Sequence, residues 1–434
     1  MMVFVQRWRV IIAFALVGAA TQLVWLTYAP VTTVAAAHFG VSESAVGWLA
    51  NMFPLLYVVL AVPAGILLDR WFRASLIAGA VLTALGADLR LLHDSFATAL
   101  LGQTVVAVAQ PLVLNAITGI AGHHLDERDR PTGIAVGTAS TFAGMAAAFV
   151  LGAALPGEDE LTTLTAVGAV FATVAAVALT AELLRAGSRE GAASQAGRAS
   201  ELGTLAARSP GERPPASGPE PEHSPAITSL AALRATLGDP FVRRLCVAVF
   251  FPFGTFVALA TFGQALLEPA GVSADAASVV LLVNVVAGVI GCAVLPVVVL
   301  RKRAELPALI AGLSISAASC LLVALAPGLV TGALAFVLIG LTLLPALPVV
   351  LAMAERHTGA AEGTAAGLIW MTGNLGGLVV AGATGLLVDS PGLAFGLCAI
   401  STLLGVPLAL RLGSGRGAQD SAATSASTTV VTEP

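Results

Sequence analysis

Twelve stretches of this chain stay apolar for about 20 residues or more, the length a helix needs to cross the hydrocarbon of a bilayer. They lie at roughly 10–36, 46–68, 74–92, 96–121, 131–155, 162–184, 244–267, 276–300, 305–325, 328–354, 360–387 and 391–410, and none has an Asp, Glu, Lys or Arg near its middle. Without water to satisfy backbone N–H and C=O groups, only helices and closed barrels can occupy hydrocarbon. The runs are continuous rather than alternating, which selects helices. Composition agrees: 57% of the 434 residues are hydrophobic and 11% are charged, whereas a soluble domain carries roughly 25% charged residues. The expected fold class is therefore an all-α membrane protein with twelve transmembrane helices. The amino-terminal MMVFVQRWRV leads into an apolar run longer than a signal-peptide core, so it reads as a retained first helix.

Two tracts break the pattern. Residues 185–240 are rich in Ala, Gly, Ser, Pro and Arg without apolar periodicity, and 412–434 read the same way. Both are expected to be disordered, leaving six-helix bundles at 1–184 and 241–411. Basic residues accumulate in cytoplasmic loops. With the amino terminus inside, Arg7, Arg9, Arg70, Arg73, Arg128, Arg130, Arg301, Lys302, Arg303, Arg356 and Arg411 are all cytoplasmic, and of 21 Lys and Arg residues only Arg90 is outside. Both termini and the linker are expected on the cytoplasmic side of a multi-pass protein of the cell membrane.

Six helices, a linker and six more suggest a duplication. Glu127-Arg128 followed by Gly137-Thr138-Ala139 is matched by Glu355-Arg356 followed by Gly363-Thr364-Ala365, and prolines interrupt both the fourth helix (Pro111) and the tenth (Pro345, Pro348). The loop after the second helix reads Gly65-Ile-Leu-Leu-Asp69-Arg70-Trp-Phe-Arg73. That loop resembles the motif of the major facilitator transporters, whose parallel repeats bind substrate between the halves near the midplane. Gly65 permits close helix approach, and Asp69 can accept from a helix amino terminus or an arginine, giving with Arg70 and Arg73 a cytoplasmic latch. The corresponding turn of the second half keeps only Arg301-Lys302-Arg303, so the latch is one-sided.

Polar side chains inside the membrane either line a pathway or join helices. The candidates are Gln22, Trp25, Tyr28, Asn51, Tyr57, Gln103, Gln110 and Asn115 in the first half, and Thr255, Thr261, Asn284, Trp370, Thr372 and Asn374 in the second. A proton-coupled carrier needs a carboxylate at depth, and an anion carrier an arginine; this chain has neither. There is no nucleophile, base and orienter set, no phosphate loop and no metal cluster, so neither an enzyme nor a cofactor is expected. The four cysteines, Cys246, Cys292, Cys320 and Cys398, sit in apolar runs as small core residues. A net charge of -4 and no basic tract exclude nucleic acid as a partner.

Several segments are similar to the FLVCR-like branch of the superfamily, associated with haem and with choline or ethanolamine: QLVWLTYAPVTT, HFGVSESAVGWLANMFPLLYVVLAVPAGILLDR, LGADLRLL, GQTVVAVAQPLVLNAITGIAGHHL and GTAAGLIWMTGNLGG. The resemblance spans residues 7 to 145 and weakens through the second half. It implies that Trp25 faces the substrate, that Gln110 is the fourth-helix amide and that Asn374 replaces a glutamine. Where the branch has Phe-Tyr, this chain reads Phe256-Val257; Trp370, or Phe253 with Phe256, then supplies a second ring. Tyr28 and Asn115 complete the candidate set. The expected function is transport of a small organic solute by a monomer, with an organic cation favoured and no proton coupling. The alternatives are a broad-specificity metabolite or drug exporter and a non-transporting receptor or scaffold.

Overall fold

The structure, a computed structural model, describes residues 2–206, 229–358 and 362–429. The first half comprises α1 (Met2–Leu26), a 3₁₀ turn (Ala29–Val31), α2 (Thr32–Phe39), α3 (Glu43–Leu89), α4 (Phe96–Leu114), α5 (Ala116–His124), α6 (Arg130–Ala154) and α7 (Leu161–Ala206). The second comprises α8 (Ser229–Gly238), α9 (Pro240–Leu267), α10 (Ala274–Arg301), α11 (Glu305–Leu325), α12 (Leu329–Leu343), α13 (Ala346–Thr358), α14 (Glu362–Gly385) and α15 (Pro391–Thr429). Among the described residues, 11 helical spans are long and apolar enough to cross a membrane. They give twelve crossings because α3 carries two, bent at Trp71, where φ -138 and ψ 56 leave the helical region.

Prolines account for the split crossings, since each removes a backbone donor from the helix ladder. Pro30 follows the end of α1, Pro111 precedes the α4–α5 break at Asn115, and Pro345 lies between α12 and α13. At the tracts expected to be disordered the boundaries differ. Helix α7 continues through Ala206, α8 enters the 185–240 tract from the other end, and α15 runs on to Thr429. The segment EGAASQAGRASELG has no proline to stop a helix, and its Ala, Glu, Gln, Arg and Leu residues are good helix formers, although its glycines are not. Residues 207–228 of the linker and 430–434 of the tail lie outside the described residues.

The surface is that of a protein solvated by hydrocarbon. On one face of α7, Val170, Val174 and Val177 are 63%, 61% and 64% exposed, an apolar stripe that water would penalise. Inside, alanine is the commonest buried residue, and with the glycines of the helix contacts it lets backbones approach closely. Packing repeats between the halves: α1 lies on α6 and α7 as α9 lies on α14 and α15, and the halves meet where α3 packs on α14 and α6 on α10. One contact is duplicated at atomic detail. A Cβ added to Gly144 would stand 2.1 Å from the carbonyl oxygen of Ala19, and one added to Gly376 would stand 2.0 Å from that of Phe250. Gly376→Ala must therefore push α14 off α9, and overpacking of this kind costs about 1–3 kcal/mol. Thermal unfolding of the purified protein in detergent should show a lowered midpoint; an unchanged midpoint would mean the helices are not in this contact.

Candidate functional site

Arg7 of α1 meets Asp126, and Arg411 of α15 meets Arg244 of α9, on the side of the bundle where Arg130 meets Glu355, called here the terminal face, and the two halves pack against each other on that side. Along the α3–α14 seam, a Cβ on Gly65 would come within 2.6 Å of the Gly363 carbonyl, and one on Gly367 within 2.6 Å of the Ala61 carbonyl. Further from the terminal face the facing residues are Tyr57 and Trp370, with ring centroids 6.1 Å apart. Small residues at one end and large ones deeper make the seam a wedge. The inner segments α5 and α13 also pack on each other and on α14 and α6 respectively, whereas α4 packs on α3 and α1, and α12 on α10 and α11, within their own halves.

Polar contacts lock this closure. The carboxylate of Asp69 accepts from the Gly363 N–H at 2.7 Å, from the Thr364 N–H at 3.0 Å and from the Thr364 hydroxyl. It thus caps the amino terminus of α14, where the helix dipole favours an anion. Arg130 on α6 donates to Glu355 on α13 at 2.9 Å, a second tie between halves that motif reading did not single out. Arg70 and Arg73 point elsewhere: the Arg70 guanidinium lies over Trp71 at 4.4 Å, and Arg73 sits against Gly187 of α7. Of the four residues assigned to the latch, the structure brings Gly65 and Asp69 to the seam. Beside it, Asp239 caps α9 and contacts His357 at 2.7 Å. Burial raises its pKa, but donation from His357, Phe241 N–H and Val242 N–H outweighs that and holds the carboxyl below its ordinary value, so Asp239 stays ionised at neutral pH.

Above the seam, aromatic rings run across the boundary. Trp370 touches Tyr57 and, at 6.0 Å, Phe253; Phe253 meets Phe256 at 6.3 Å, and Phe256 meets Phe142 of α6 at 5.8 Å. Trp25 stacks on Phe53 at 5.9 Å and packs against both central core clusters, one containing Tyr57 and Trp370 and the other Phe142 and Phe256. The duplicated glycine contact relates the two sides: Trp25 is six residues beyond Ala19, and Phe256 six beyond Phe250. They occupy equivalent places in the two halves. Tyr57 and Phe253 were named from the sequence; Phe142 was not, because an apolar residue in a spanning helix carries no sequence signal of which face it occupies.

Hydrogen bonding sorts the remaining candidates. Asn115 is fully engaged, its Oδ1 accepting from Tyr57 Oη at 2.6 Å and its Nδ2 donating to the Ala61 carbonyl at 2.7 Å. The amide nitrogen of Asn374 donates to the Trp370 carbonyl one turn back, at 2.9 Å. Tyr28 is turned into the first half, its ring 5.9 Å from the buried Arg90 guanidinium and its hydroxyl 3.5 Å from that of Thr165. Trp25 donates its indole N–H to the Ala50 carbonyl at 2.8 Å, so what it has left to offer is ring surface. Gln110 Nε2 and Trp370 Nε1, by contrast, are buried without a partner, a condition that costs about 1–3 kcal/mol per group. Among the described residues no group of His, Cys, Asp or Glu is placed to hold a metal.

A two-half helical bundle with polar and aromatic residues gathered at its central boundary is the architecture of a membrane carrier. A sequence profile of the Major Facilitator Superfamily matches residues 10–381, and the chain belongs to that superfamily of transporters, which are not enzymes. Over 150 residues it is 26% identical to the human choline/ethanolamine transporter FLVCR2, covering 34% of this chain and 28% of the relative. Over 139 residues it is 34% identical to solute carrier family 49 member A3 of Danio rerio, covering 30% and 29%. The matches thus span less than a third of those relatives' length. Among solved structures, FucP in the outward conformation aligns with TM-score 0.65 at 19% identity over 93% of this chain and 99% of its own. The human organic anion transporter MFSD10 aligns with TM-score 0.69 at 16% identity over the same shares. These likenesses are of fold.

Asp69→Asn keeps the size of the cap but removes its charge and one acceptor. The terminal face should then open more often, which labelling of single cysteines placed along α14 near Gly363 would detect as faster modification. Labelling as slow as in the parent protein would show that Asp69 does not hold the seam.

Proposed function

We propose that this protein carries a small organic cation across the cell membrane by alternating access, with the terminal face cytoplasmic and without proton coupling. The single observation that carries the reading is the state of Trp25. Its N–H is engaged by Ala50 and one face stacks on Phe53, leaving a partly exposed ring, whose negative face attracts a cation by about 0.5–2 kcal/mol. Phe256 at the equivalent place of the second half is the second ring, and Gln110 on α4 holds a buried amide nitrogen without a partner. The names of the FLVCR relatives, choline/ethanolamine transporters, support the same class of solute. The basic residues gathered on the terminal face support a cytoplasmic assignment, and the monomer is the simplest functional unit because each chain holds both halves.

The uncoupled reading follows from chemistry. Between the Asp69 level and the outer helix ends, the crossings offer, among the described residues, no carboxylate at the central boundary that could exchange a proton during the cycle. An apolar hollow lined by Phe142, Val249, Phe253, Phe256, Leu343 and Leu347 favours the second reading, a broad-specificity exporter of apolar compounds.

In proteoliposomes, Trp25→Phe should retain part of the uptake of labelled choline and Trp25→Ala lose most of it; normal uptake by the alanine variant would make the ring mere packing and favour the exporter. An imposed pH gradient should drive no accumulation above equilibrium in the parent protein. Uphill uptake that collapses with a protonophore would overturn the uncoupled reading.

A further inference from the structure

The two tryptophans at the boundary are used in opposite ways. Trp25 has its N–H engaged and part of its ring free. Trp370 has its ring enclosed by Tyr57 at 6.1 Å and by Phe253 at 6.0 Å, and its carbonyl taken by Asn374, while Nε1 is buried with no acceptor. An indole N–H is a donor only; unlike an amide or imidazole it cannot be satisfied by flipping or changing tautomer. A cation cannot answer it, because an ammonium accepts no hydrogen bond. The residue stands where α14 meets α3 of the other half and α9 of its own, with Tyr57 on one side and Phe253 on the other.

We propose that Trp370 is a specificity-determining residue whose indole N–H binds an oxygen acceptor on the solute, so that the substrate is an organic cation that also bears a hydroxyl or carbonyl oxygen. This rests on the transport reading above and divides recognition between two indoles: Trp25 reads the positive charge by its face, and Trp370 reads the oxygen by its edge. Trp370→Phe tests the second role, since a phenyl ring keeps an aromatic surface toward Tyr57 and Phe253 and removes the donor together with part of the indole's area.

Three probes separate the two roles: choline, with charge and hydroxyl; propyltrimethylammonium, with the charge alone; and 3,3-dimethylbutan-1-ol, with the hydroxyl on a neutral carbon skeleton. Binding is measured by calorimetric titration of the full-length protein in detergent, and the thermal midpoint of each variant reports that it is folded. Trp370→Phe should weaken choline and dimethylbutanol by about three- to tenfold, the ratio a neutral hydrogen bond carries, and leave propyltrimethylammonium unchanged. Trp25→Ala should weaken the two cations and spare the alcohol. If the parent protein binds the alcohol as tightly as choline, the cation reading fails, while selective loss of the two hydroxylated probes in Trp370→Phe still upholds the donor. Equal weakening of all three, or of none, in Trp370→Phe overturns the proposal whatever Trp25 does. A parent protein that binds none of them overturns both readings. Where Trp370→Phe unfolds, Trp370→Met, which fills much of the same space without a donor, should show the same selective loss.

Discussion

In hydrocarbon a polar group has no water to fall back on, so each must find a partner in the protein or in a ligand. The arrangement of this bundle follows from that constraint. Where α1 ends at Leu26, Gln103 Nε2 reaches the exposed Trp25 carbonyl at 3.3 Å, and Arg90 Nη1 reaches Thr27 Oγ1 at 3.2 Å. Where Pro111 unsettles the fourth crossing, Asn115 ties the break to Tyr57 and Ala61. These residues act as fasteners through the donors and acceptors they engage. Among the buried polar atoms left without a partner are Gln110 Nε2 and Trp370 Nε1, alongside Gln103 Oε1, Arg90 Nη2 and Asn284 Oδ1.

The graded seam between α3 and α14 turns side-chain size into conformation. Gly65 against Gly363 and Ala61 beside Gly367 let the backbones touch near the terminal face, and the Tyr57–Trp370 pair holds them apart deeper in. The aromatic row is therefore both the lining of the central boundary and the spacer that sets how far the halves stand apart there.

Much of this was legible in the sequence, for physical reasons that also explain the rest. Long apolar runs report crossings because hydrocarbon imposes a length, and Asp69 was legible because an acid in an otherwise basic turn has to find a donor. Which donor it finds was open, and the α14 amino terminus rather than an arginine answers it. Tyr28, three residues from Trp25, was read as its neighbour on the pathway; the helix ends between them and turns Tyr28 toward Arg90. Asn115 could not be distinguished from Gln110, since being satisfied or orphaned depends on residues far away in sequence. The Arg130–Glu355 tie was hidden for a related reason: each charge sits in a turn that positive-inside statistics already explain.

The turn after the eighth crossing, Arg301-Lys302-Arg303, holds no counterpart of Asp69. The two halves are instead tied at the terminal face by Asp69 on the amino terminus of α14 and by Arg130 on Glu355. Both ties join one half to the other, so a change at either acts on how the halves stand against each other and leaves the packing inside each half in place.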